Sequence, residues 1–424
     1  MGIEVLAPFA VLVLAWALVS GALQRREVTG PLVFVAAGAL LANDAWGPFP
    51  VNIETASVHT LAEITLALVL FADAARINLR NLRRNATLPL RLLLVGFPLT
   101  LLLGFGAAVL ILADLPWELA LLVAAALAPT DAALSAQVIG DRRVPGRLRV
   151  AVNVESGLND GVVTPVVTLA IALAGITLGV GSLERTGVAG ALLELGLGVA
   201  VGGGVGVLGA WGVTLSARRG WAEPGALPIG TLATGVGAFA VSLSVSGNGF
   251  VAAFVGGLVF GLVVDREQGD EHELTELTEL GGELMTFVVW FLFGAALVPI
   301  AIEQLSVATV GYALLSLTVV RMLPVVLAMT GTGLASRDVL FLGWFGPRGL
   351  ASVVFALLAV ESLGESEPVL SAVATITTTV VLSVLLHGAS AGPVAARYGM
   401  LDEMHVHGRS SKLGPPHGRV GHGR

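Results

Sequence analysis

The segment Asn153-Val154-Glu155-Ser156-Gly157-Leu158-Asn159-Asp160-Gly161 is a polar cluster inside a stretch, residues 148–175, that is otherwise apolar. At about 1.5 Å rise per helical residue, that stretch is long enough to cross a hydrocarbon core of ~30 Å. Glu155 and Asn159 are four residues apart, as are Ser156 and Asp160, so in a helix the two pairs fall on adjoining strips of one face. An ionised side chain in the bilayer needs a partner or a wet cavity. The segment therefore reads as a membrane helix carrying an internal polar site, and its carboxylate, hydroxyl and amide oxygens suit a hard monovalent cation that has shed its water.

Composition extends this reading to the whole chain. Of 424 residues 55% are hydrophobic and 12% charged, with 54 glycines and a mean hydropathy of +0.88. A soluble domain carries roughly 25% charged residues, so there is too little polar material here to coat a water-facing surface. The apolar runs exceed the ~10 residues of a barrel strand, which leaves an all-α integral membrane protein. Cysteine is absent, which excludes disulfides, thiolate metal sites and thiol nucleophiles. The net charge of −7 matters less than where the charges lie.

Apolar windows give about thirteen spans, at 3–23, 30–43, 58–75, 88–113, 116–138, 148–175, 187–215, 225–246, 249–264, 279–299, 304–330, 338–360 and 368–390; the short second and glycine-rich ninth leave twelve open. Nineteen of the 23 basic residues follow odd-numbered spans, among them Arg76, Arg80, Arg142, Arg143 and Arg147, and Arg185 alone falls in an even-numbered loop. The positive-inside rule then sets the odd loops and the C-terminus in the cytoplasm and the N-terminus outside, in a multi-pass protein of the cell's inner membrane. Residues 1–4 carry no basic side chain, so the first run reads as a helix and not as a cleaved signal. Residues 391–424 read as a cytoplasmic tail, of which the polar, histidine-bearing part 402–424 is expected to be a disordered end, with metal binding through His405, His407, His417 and His422 as the alternative.

Three arginines fall outside that pattern. Arg91 sits at a span end and can snorkel to water. Arg321 and Arg348 are deeper and need partners. Counting from the cytoplasmic ends, Glu155 lies about 11 Å and Arg321 about 14 Å deep, which makes them a candidate structural ion pair and leaves Asp160 as the unpaired acid. Ala128-Pro129-Thr130-Asp131 and Gly346-Pro347-Arg348-Gly349 each place a proline and polar groups inside a span, where a helix loses a hydrogen bond and unwinds. With the seventh helix as a linker, two six-helix halves of opposite orientation remain, and the discontinuous helix is the fifth of each, the fifth and twelfth of the chain. That is the pattern of an inverted-repeat secondary transporter.

Glu155-Ser156-Gly157-Leu158-Asn159-Asp160 resembles the E-S-x-L-N-D signature of NhaP/NHE-type sodium/proton antiporters, of the monovalent cation:proton antiporter-1 family. Pro129-Thr130-Asp131, Arg321 and Gly346-Pro347-Arg348-Gly349 resemble that family's P-T-D, its glutamate-pairing arginine and its G-x-R-G. The resemblance covers about residues 5–395 and departs at Gly157, where leucine is usual, and at Ala132, where proline is common. It implies a homodimer with an ion-carrying core of spans 4–6 and 11–13 (88–175 and 304–390). This core moves like an elevator against scaffold helices in 1–87 and 187–299. It also implies that Asp160 takes cation and proton in turn, with Na+ held by Asp160, Thr130 and Ser156 and backbone near Asp131, and that Asn159 belongs to the electroneutral branch. Arg348 would stabilise the core.

The expected activity is thus one-for-one exchange of a monovalent cation, Na+ before K+, for a proton, by competition for one carboxylate. No cofactor, enzyme activity or nucleic acid is expected; the partners are the transported ions, lipid and a second copy of the chain. Asp131 reads as a ligand, as a cap on the half-helix near Pro129, or as both. Glu63 and Asp73 read as scaffold or rim charges, and the acidic stretch 265–279 as a solvated loop. The other classes are an intramembrane hydrolase using Asp131 and Asp160, which lacks a nearby histidine base, and a passive cation channel.

Overall fold

The computed structural model describes residues 3–43, 47–49, 56–77, 86–131, 133–135, 138, 140–141, 143–180, 188–223, 225–267 and 271–410. Arg80, Ala132, Arg142, Arg185 and the tail beyond residue 410, with His417 and His422, lie outside them. The helices are α1 (Ile3–Gln24), α2 (Gly30–Leu41), α3 (Ala56–Ala75), α4 (Thr87–Ile111), α5 (Trp117–Ala126), α6 (Gly146–Leu178) and α7 (Val188–Arg219). They continue with α8 (Ala226–Ser244), α9 (Gly249–Glu267), α10 (Glu271–Glu303), α11 (Val307–Ala328), α12 (Ser336–Trp344), α13 (Leu350–Leu363) and α14 (Glu367–Ser410). Among the described residues eight helices are long and apolar enough to cross a membrane, and four apolar helices are shorter.

The helices pack as two groups. One is α2, α3 and α7–α10; the other is α4–α6 with α11–α14, joined to the first where α3 meets α6 and α13 and where α10 meets α14. Glycine brings backbones together in the first group: a Cβ on Gly257 or Gly261 of α9 would overlap the carbonyl oxygens of Phe71 and Ala75 in α3. Small residues are how helices approach closely where lipid supplies no hydrophobic drive. The aromatic cluster of Phe9, Trp16, Phe34, Phe287 and Phe291 seats α1 and α2 against α10, with the Phe34 and Phe287 rings stacked at 4.4 Å.

The two expected breaks are present: the fifth span is helical only to Ala126 before it opens into irregular chain, and the twelfth divides into α12 and α13 around residues 345–349. Other expectations shift. The eleventh is interrupted at Thr318, whose φ of −111° and ψ of −92° leave the helical region. The last helix continues past 390 to Ser410, where a tail was expected. Composition hid this because Gly392 and Pro393 look like a stop, yet Ala391, Ala395 and Tyr398 are buried and hold the helix on.

A buried acid ties the ends of the second group together. Asp338 in α12 accepts from Arg147 Nη2 of α6 at 3.0 Å and from Tyr398 Oη of α14 at 3.1 Å. Replacing it removes two charge-assisted hydrogen bonds and leaves the tyrosine hydroxyl only the Arg337 carbonyl at 3.4 Å, a loss of about 1–3 kcal/mol. Asp338→Ala is therefore expected to lower the melting temperature of the purified protein by several degrees, and an unchanged melting curve would remove Asp338 as a staple.

Candidate cation site at two broken helices

A helix interrupted in lipid must satisfy the groups it frees. The two breaks do this for each other. After α5, the carbonyls of Ala128 and Pro129 accept from Arg348 Nη1 at 2.8 and 3.0 Å, and that of Ala126 accepts from Ser352 Oγ at 2.6 Å. In return the Asp131 N–H donates to the Pro347 carbonyl at 2.8 Å. The Asp131 carboxylate accepts from the Leu350 N–H at 2.9 Å and from the Ala133 N–H at 2.7 Å, so it caps α13 and the turn that follows it. A negative charge at a helix N-terminus is electrostatically favoured. Arg348, fully buried, is the opposite charge at the C-terminal end of α5.

Gly349 is needed at this crossing, since a Cβ there would overlap the Asp131 carboxylate. Gly349→Ala is expected to push Asp131 off the α13 N-terminus and to lower the melting temperature of the purified protein by several degrees. An unchanged melting curve would show that the crossing tolerates displacement.

The polar face of α6 meets this crossing. Thr130 Oγ1 lies 2.9 Å from Ser156 Oγ and accepts from Asn159 Nδ2 at 2.8 Å. Thr130, Ser156 and Asn159 are buried, and Asn159 Oδ1 has no hydrogen-bond partner. Asp160 is half-buried beside them and has no hydrogen-bond partner among the described residues. Thr164 instead bonds back to the Asp160 carbonyl in its own helix, at 2.8 Å. Glu155 lies on the side of α6 facing α11, where Arg321 grips it in a two-pronged contact of 2.6 and 2.8 Å, both side chains about 1% exposed. The sequence-derived residues thus form two constellations: Thr130, Asp131, Ser156, Asn159 and Asp160 at the breaks, and Glu155 with Arg321 behind them.

A cavity of about 580 Å³ reaches the first constellation and is lined by Asp131, Ser156 and Asp160 together with Gln24, Arg76 and Glu279. Gln24 ends α1 and Arg76 follows α3, so the cavity extends to the helix ends next to Arg25, Arg26 and Arg76. Asp73, read as a scaffold or rim charge, also lines it. Spacing along α3 could not reveal this, because the face of α3 that meets α6 depends on Gly157: a Cβ there would sit 3.7 Å from Asp73 Cβ, and a longer side chain would fill that room. Arg91 is likewise not simply in water; its Nη1 donates to the Ala328 carbonyl at 3.1 Å near the end of α11. His387, buried on α14 near Arg348, had no sequence signal, being the single histidine of the apolar stretch 368–390.

The model of the transmembrane sodium/hydrogen exchanger family matches residues 9–397. The chain is 25% identical over 366 residues to the K(+)/H(+) antiporter NhaP of Alkalimonas amylolytica, covering 86% of this chain and 61% of that protein. It is 24% identical over 391 residues to the Na(+)/H(+) antiporter ApNhaP of Aphanothece halophytica, covering 89% and 71%. The chain thus spans about three fifths of the length of the first and about seven tenths of the second. Its fold is that of the sodium proton antiporter MjNhaP1 from Methanocaldococcus jannaschii, with a TM-score of 0.70 at 18% identity, covering 93% of this chain and 98% of that one. With a family match across nearly the whole chain and the fold of an NhaP protein, this multi-pass membrane protein belongs to the sodium/hydrogen exchanger family.

Proposed function

We propose that the chain is a monovalent cation/proton antiporter in which both ions use the Asp160 carboxylate in turn. The observation that carries this is an acid without a hydrogen-bond partner among the described residues, at the end of a cavity and beside two broken helices. An anionic carboxylate withdrawn from water is costly until it is neutralised. A proton or a dehydrated cation does this equally, and one carboxylate does not hold both, so the two flows are coupled. Either loaded form carries little net charge and can be moved past apolar surroundings, in keeping with an elevator motion of the second helix group against the first.

The hydroxyls of Thr130 and Ser156 supply the neutral part of the cation shell. Asp131, whose oxygens are taken by backbone N–H groups, shapes the site and adds field without being a mobile ligand. Asp73 adds a second carboxylate along the route from the cavity mouth. Sodium is the first reading and potassium the second, since relatives with both substrates in their names are similar to this chain and oxygen ligands serve both ions. A side-by-side titration of proton flux with sodium and potassium in proteoliposomes decides between them; saturable, cation-dependent flux also sets antiport apart from a channel or a hydrolase. The inward face is read as cytoplasmic from the arginine distribution, and a homodimer in the inner membrane is the proposed assembly.

Asn159 does not ionise, and its amide is engaged with Thr130. We therefore expect one charge exchanged for one charge. Exchange by the reconstituted protein should be unchanged when a potential of about 100 mV is imposed, a force of ~2.3 kcal/mol per uncompensated charge. A rate that follows the imposed potential would show that a second proton moves, and Asp73 would be its carrier.

A further inference from the structure

The Asp131 side of the crossing secures only half of the irregular chain at residues 345–349. The other half faces α14. There the Arg348 N–H donates to Ser383 Oγ at 2.7 Å, and His387 Nε2 lies 2.9 Å from the Trp344 carbonyl. His387 Nδ1 lies 3.2 Å from Ser383 Oγ and 2.9 Å from Ser383 O. The imidazole thus lies between Ser383, which takes the Arg348 N–H, and the Trp344 carbonyl, so a relay of contacts runs from the Arg348 N–H through Ser383 and His387 to Trp344. Ser383 is fully buried and His387 is 2% exposed. Trp344 Nε1 donates to Ser390 Oγ at 2.8 Å, and its ring lies 5.0 Å from the imidazole.

Ser383, His387 and Ser390 are spaced four and then three residues apart, so they form one polar stripe on an otherwise apolar helix. Every member of the stripe is directed at residues 344–348. A stripe that served only to join helices has no reason to select the groups that an unwound segment exposes. The Arg348 N–H is one of these, and a buried N–H without a partner costs free energy; the Trp344 carbonyl accepts from the Gly346 N–H at 2.8 Å and takes His387 as its second partner.

We propose that His387, with Ser383, is a positioning residue for the cation site. It fixes residues 344–348 from behind, so that the Pro347 carbonyl and the Leu350 N–H stay on Asp131 and the Arg348 guanidinium stays under the carbonyls of Ala128 and Pro129. The histidine touches no transported ion. It acts through the broken segment, and its loss lets that segment rotate and Asp131 and Thr130 drift from Asp160. This rests on the antiport reading above.

The test compares wild type, His387→Leu, His387→Gln and Ser383→Ala, reconstituted at equal protein, by cation-dependent proton flux with sodium and potassium. Leucine keeps the volume and removes both polar contacts; glutamine keeps an N–H for the Trp344 carbonyl. The expected result is a rise of about tenfold in cation KM for His387→Leu with kcat within about twofold, and recovery to within about threefold in His387→Gln. Ser383→Ala should raise KM in the same direction, and the Ser383→Ala/His387→Leu double variant should be no worse than His387→Leu, because both remove one relay. A wild-type KM in a folded His387→Leu protein overturns the proposal, as does a drop in kcat alone. Where His387→Leu does not fold, the smaller change decides, and an unaltered KM in Ser383→Ala overturns it. Absence of cation-dependent flux in the wild type contradicts the antiport reading and leaves the variants' melting curves as the separate measure of the relay.

Discussion

Asp160→Asn is expected to abolish exchange: everted vesicles carrying it should hold a pre-formed pH gradient when sodium or potassium is added, at the level of vesicles without the protein. The amide keeps the size and the neutral polarity of the protonated acid, so folding should be unaffected. It cannot release a proton, and it offers a cation no charge to offset the loss of water. Both half-cycles therefore fail together, which distinguishes this substitution from one that only weakens cation affinity. Asp73→Asn is the useful contrast. Asp73 lines the same cavity, but it is proposed only to aid access, so its loss should raise cation KM and leave proton exchange intact at saturating cation. Dissipation of the gradient by Asp160→Asn would remove Asp160 as the carrier.

The largest effect on stability is expected at Arg321. Its two-pronged contact with Glu155 is almost wholly buried. Removing one partner leaves an uncompensated charge, and breaking buried pairs of this kind costs about 3–5 kcal/mol, a large part of the roughly 5–15 kcal/mol that holds a typical protein folded. Arg321→Ala should therefore give little folded protein. The double variant Glu155→Leu/Arg321→Met, which removes both charges and restores apolar volume, should recover much of the yield, because the desolvation of two ions is avoided as well. A normal yield of Arg321→Ala would contradict the pair's structural role. So would a double variant as poor as the single one, which would point to Arg321 acting through the Leu342 carbonyl, 3.4 Å from its Nη2.

The site was legible in proportion to how local its chemistry is. Glu155, Ser156, Asn159 and Asp160 lie within one and a half helical turns, so their shared region of α6 followed from spacing alone. Pro129 and Pro347 announced the breaks, because a proline inside a span has one consequence whatever surrounds it. What spacing does not carry is the rotation of one helix against another. Asp73 faces Asp160 only because α3 and α6 meet at Gly157, and Ser383 and His387 matter only because α14 passes behind residues 344–348. The sequence also suggested the cap at Asp131 without indicating that it reaches across to Leu350, a partner 219 residues away. The extension of α14 to Ser410 was missed for the same reason, since Tyr398 holds it through Asp338 of another helix.

The pH dependence of the cation KM tests the central claim most directly. If cation and proton compete for one carboxylate, KM for the cation in proteoliposomes should rise as pH falls, approaching a tenfold increase per pH unit, while the maximal rate at saturating cation stays constant. A KM that is independent of pH, with acid lowering only the maximal rate, would mean that proton and cation occupy different groups and would contradict the account.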